Sequence, residues 1–68
     1  MQTIQTTARI LRIHAVSELT GLAAPTIYLH ARLGTFPKQI KLGPRAAGWL
    51  ASEVNAWIDE RTRASRGQ

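Results

Sequence analysis

The chain has 68 residues, enough for one small domain with a marginal core. It has no cysteine, which excludes a disulfide framework and a cysteine-type zinc site and is compatible with a reducing compartment. Nine Lys and Arg against four Asp and Glu give a net charge of +5 and point to an anionic partner, nucleic acid first and a membrane surface second.

No apolar run approaches the roughly 20 residues that span a bilayer. The opening MQTIQTTARI has no basic stretch followed by an apolar block, so it does not read as a secretory signal. These features predict a cytoplasmic protein of bacterial or phage origin.

Residues 1–9 are polar and aperiodic and are expected to be flexible. Residues 10–13 are short and apolar, either a strand or an extended lead-in held to the core. Residues 14–20 place Val16 and Leu19 at i, i+3 ahead of Gly21, which predicts a two-turn helix ending at a left-handed glycine. A second helix is predicted over 24–33. Pro25 is tolerated in its first turn, Ile27 and Ala31 form its inner face, and Gly34 ends it. Two short helices joined by Gly21-Leu22-Ala23 have the spacing of a helix-turn-helix.

Ile40 and Leu42 then alternate with Gln39 and Lys41, and Gly43-Pro44-Arg45-Ala46 has the composition of a turn. A β-hairpin over 39–49 follows, with Arg45 at its tip and Pro37 at a strand start or edge. Ser52 is the expected N-cap of a third helix whose apolar face is Val54, Trp57 and Ile58. Residues 62–68 read as a basic, disordered tail. The predicted domain is therefore residues 10–61, mainly α with a small wing of two to three strands. Its expected core is Val16, Leu19, Ile27, Phe36, Ile40, Leu42, Trp49, Val54, Trp57 and Ile58.

Catalysis finds little support. His14 and His30 fall on different helices with no carboxylate placed near them by the sequence, and Asp59 and Glu60 diverge by about 100° on one helix. There is no phosphate loop and no HExxH. No metal or cofactor is expected. The pattern suits duplex DNA better. The second helix offers Ala24, Pro25, Thr26, Tyr28, Leu29 and Arg32 to a major groove, and its N-terminus has N–H groups free for a phosphate. Lys38, Lys41 and Arg45 would grip the backbone from the hairpin. The alternatives are a protein-interaction module or anti-regulator, favoured by the apolar Ala24, Pro25 and Leu29, and a solvated basic surface without a specific partner.

TGLAAPTIY (20–28) and GTFPKQIKLGPRAAGWLASEVNAWIDER (34–61) resemble the AlpA family of prophage regulatory proteins, relatives of small excisionases and of the DNA-binding part of MerR-type regulators. The blocks that carry the resemblance are Gly-x-Phe-Pro-x-x-x-x-Leu-Gly-x-Arg and Trp-x-x-Ser-Glu-Val-x-x-Trp. It implies a winged helix-turn-helix that regulates transcription, or a recombination directionality factor that bends attachment-site DNA. Integrase, RNA polymerase or further copies of the chain are the implied partners. Members usually read Gly-Leu-Ser-Arg-Ser-Thr-Ile-Tyr at the second helix. Here Ala23-Ala24-Pro25 replaces Ser-Arg-Ser, which removes the expected N-cap and the leading polar contacts. The burden shifts to Thr26, Tyr28, Arg32 and the wing.

Overall fold

A computed structural model describes residues 9–67. The order is β1 (Ile10–Leu11), α1 (Ile13–Thr20), α2 (Ala24–Leu33), β2 (Ile40–Gly43), β3 (Ala46–Leu50) and α3 (Ala51–Ser65). The strands form one antiparallel sheet in the order β1-β3-β2. This is the mainly helical, winged architecture that the pattern predicts. The flexible segment expected at the start lies, but for Arg9, outside the described residues.

The helix-turn-helix is set by backbone chemistry. Gly21 and Gly34 take φ of 78° and 86°, the left-handed region that glycine enters without penalty, and their N–H groups donate back to the preceding turn. Between α1 and α2, Ser17 Oγ donates to Leu22 O at 2.6 Å. Leu22 N–H donates to Thr20 Oγ1, which itself donates to Val16 O. The turn is thus closed by side chains of α1 itself.

None of the three helices has a side-chain cap; Arg12, Ala23 and Leu50 stand at the N-cap positions. At α3 the reason is topological. Strand β3 runs into the helix with no loop, and Ala51 N–H donates to Arg9 O at 2.8 Å. Ser52, expected to be the cap, is therefore inside the first turn. At α2 nothing substitutes for the missing cap. Ala23→Asp is expected to stabilise the chain by about 1 kcal/mol. A thermal melt should show Tm rising by about 4–8 °C.

Leu11, Val16, Ile27, Ala31, Phe36, Trp49 and Val54 are buried, with Trp57 and Ile58 half-buried against them. Three expected core residues are corrected. Leu19 is 50% exposed, because α1 turns Val16 inward with Ile13 and Ala15 packed against the core, and Leu19, about 60° round the helix from Val16 in its last turn, stays outside that cluster. Ile40 and Leu42 are exposed as well. β2 is the outer strand, Ile40 pairs with Gly48, which has no side chain to pack against it, and a register shift between Lys41 and Gly43 takes Leu42 out of the ladder. The tail is corrected too: α3 continues to Ser65, past the predicted end at Arg61.

Gly48 is buried in the central strand. A Cβ placed there would lie 2.5 Å from the Ile10 side chain and 2.8 Å from Leu11 O. The close approach of β1 to β3 thus depends on this glycine. Gly48→Ala is expected to cost about 1–3 kcal/mol through overpacking, read as a lower denaturation midpoint.

The joint between α2 and the hairpin is held by both tryptophans. Trp49 Nε1 donates to Pro37 O and Trp57 Nε1 to Thr35 O, each at 2.8 Å. Phe36 lies edge-on to both indoles, with centroids 6.4 Å from Trp49 and 4.9 Å from Trp57. Thr35 N–H also donates to His30 O at the end of α2. The Gly-Thr-Phe-Pro segment is therefore a fixed connector between helix and hairpin.

Candidate nucleic-acid interface

Ile27 and Ala31 turn inward on α2. Leu29 lies two residues from each, so it points about 160° away from both. Pro25, Arg32 and Leu33 share this outward half and are exposed, and Tyr28 is exposed at its edge, about 100° from Leu29. Thr26, half-buried, lies about 60° from Leu29, and Ala24, also half-buried, is turned toward the inner side. The first turn of α2 has one backbone donor fewer than an ordinary helix start, because Pro25 has no N–H.

Beside this face is the hairpin, tipped by the two-residue turn Pro44-Arg45 between β2 and β3. The two elements are fixed relative to each other, since the Tyr28 ring packs at 5.9 Å from that of Trp49 on β3. A cleft between the start of α1 and the hairpin, reached from α2 by Tyr28, is lined by Arg12, His14, Lys41 and Arg45. Two of these cations were predicted from the hairpin pattern and are brought together here. Lys38 is not. It lies on the opposite side of the hairpin, in a depression that it and Ile40 share with Glu53, Trp57 and Glu60 of α3.

Arg12 was not anticipated. Its Nε donates to Ala47 O at 3.0 Å, across 35 residues of sequence. That bond ties the N-terminus of α1 to the hairpin and leaves both terminal nitrogens of the guanidinium outside it. Only the β1–β3 pairing, which sets Leu11 opposite Trp49, brings Arg12 to the wing, and no local pattern signals it. His14 was read as having no carboxylate near it, which the structure corrects, because Glu18 lies one turn further along α1. His14 lines the same cleft, with Nε2 3.7 Å from Glu18 Oε2.

The cleft holds three permanent cations and no carboxylate among its lining residues. Chemically it can bind a polyanion, with Tyr28 the α2 residue that meets it. Among the described residues, no group of three or more His, Asp or Glu side chains is placed to hold a metal ion. No helix there is long and apolar enough to cross a membrane.

Known proteins of similar sequence place the chain in a family. Residues 9–62 match the family described as Prophage CP4-57 regulatory protein (AlpA). The chain is 46% identical over 56 residues to an uncharacterised protein, ORF88, of Enterobacteria phage P4; the alignment takes in 82% of this chain and 64% of that protein, just under two thirds of its length. It is 39% identical over 61 residues to a protein of Escherichia coli (strain K12) named DNA-binding transcriptional activator AlpA, covering 81% of this chain and 87% of the other. With this match over most of its length, the chain belongs to the AlpA family of prophage regulatory proteins.

Proposed function

We propose that the protein is a duplex-DNA-binding transcriptional regulator of phage type. In this reading α2 enters the major groove, and the cleft beside it takes the phosphate backbone. The observation that carries it is the convergence of Arg12, Lys41 and Arg45, from two separate parts of the chain, in a cleft that Tyr28 of α2 also lines. The Escherichia coli relative's name, a DNA-binding transcriptional activator, supports the same class.

A single module of this kind buries about 600–1,000 Å² of protein on DNA. That is small for useful affinity, so further copies on adjacent sites, or an integrase or RNA polymerase beside it, are proposed to supply the rest.

The test is selection from random duplex DNA with purified protein near physiological salt. Enrichment of a defined motif is the expected result, and its repeat spacing gives the number of copies bound. Neutralising three to five phosphates predicts a slope of log K against log salt of about −3 to −4.5. Retention without enrichment would mean a backbone binder that takes its specificity from a partner. No retention at any salt would overturn the DNA reading.

A further inference from the structure

The outer face of α2 is poor in hydrogen-bonding groups. Pro25, Leu29 and Leu33 have none in their side chains, and Leu29 and Leu33 are 42% and 63% exposed. Thr26, about 60° round the helix from Leu29, is half-buried. Tyr28 is turned to the wing side, against Trp49 and beside Arg12. Arg32, about 60° to the other side, is the exposed polar side chain of the face.

Apolar side chains exposed on a helix need an apolar surface to meet. The charge around this face selects the kind of molecule that supplies it: Arg32 lies on the face and Arg12, Lys41 and Arg45 beside it, so the occupant is a polyanion with an apolar feature in a groove. In the major groove of duplex DNA, the edges of the four bases present one apolar group, the C5-methyl of thymine. Resting on the DNA-binding reading above, we infer that Leu29 and Leu33 read thymine methyl groups, so that specificity comes from apolar contact with T-containing steps more than from bidentate hydrogen bonds. A helix with Arg or Asn in these places would instead select G or A through paired donors and acceptors.

The experiment uses the duplex that the protein itself selects and the same duplex with deoxyuridine in place of thymine. Deoxyuridine keeps every hydrogen-bonding group and removes only the methyl. The full chain and the Leu29→Ala/Leu33→Ala variant are each titrated against both. Both leucines are exposed, so the variant keeps the fold, and circular dichroism checks this.

The expected result is about a fourfold loss of affinity for each contacted methyl on deoxyuridine DNA, the value of one buried methyl group, or roughly 15-fold for two. The leucine variant should bind the thymine duplex more weakly and should no longer distinguish the two DNAs. Equal binding of the full chain to both duplexes would overturn the methyl reading and leave DNA binding standing. A preference that survives in the leucine variant would overturn the assignment to these side chains. Binding to neither duplex would sink the DNA-binding reading itself, and with it this inference; self-association lost in the leucine variant would then identify the face as a contact between copies.

Discussion

Trp49→Ala is expected to abolish cooperative folding at physiological temperature. The indole is 1% exposed, packs against Tyr28 and Phe36, and its N–H holds Pro37 O. Truncating a buried tryptophan to alanine costs about 3–5 kcal/mol. A 68-residue chain holds only about 3–10 kcal/mol in total. The loss also falls where three elements meet, because Trp49 belongs to the central strand, touches α2 and pins the connector. Circular dichroism on heating should show Tm lowered by at least about 12 °C, or no transition at all. Trp57→Phe removes one hydrogen bond and weakens the ring contacts with Phe36 at 4.9 Å and Arg61 at 5.0 Å on a half-buried ring, and should cost roughly 1–2 kcal/mol. If the two variants melt together, the keystone role of Trp49 is wrong.

The second large effect is on binding. Replacing Arg12, Lys41 and Arg45 together by alanine removes the three permanent cations of the cleft. Each phosphate contact contributes about 0.9 to the salt slope, so the slope should shallow by about 2.7. At about 0.15 M salt this corresponds to a loss on the order of 100-fold in affinity. Lys38→Ala is the matched control: it removes one cation of the same hairpin, on the side shared with Glu53 and Glu60. Fluorescence anisotropy with a labelled duplex over a salt series reads both quantities. A triple variant with an unchanged slope would remove the cleft from the interface, and a Lys38 effect as large as that of Lys41 alone would place the backbone on the other side of the wing.

The parts of this molecule that could be read from its sequence are those fixed by local chemistry. Helix α2 has the predicted bounds because Gly34 stops it and Pro25 is harmless at its start. The hairpin turn forms where Gly-Pro precedes Arg45. Readings failed where tertiary geometry decides. The apolar spacing of Val16 and Leu19 does not say which of two adjacent helix faces turns inward. The alternation of Ile40 and Leu42 predicts a buried strand face only if something covers it, and the hairpin extends beyond the core. Ser52 has the composition of a cap, but the strand–helix junction makes the cap unnecessary. Arg12 and Lys38 show the same limit for the site. Both are single cations in sequence, and only the sheet pairing puts one in the basic cleft and the other outside it.

Pro25, Leu29, Arg32 and Leu33 are absent from the core cluster and from the apolar residues packed against it. Substitutions at such positions usually change stability by no more than about 0.5 kcal/mol. On the proposed DNA-binding reading, the face that reads DNA and the scaffold that carries it can therefore diverge separately. A library randomised at these four positions should remain largely folded while its members differ in target preference, and a mobile element carrying this gene could acquire a new address on the chromosome without having to re-solve the folding of its regulator.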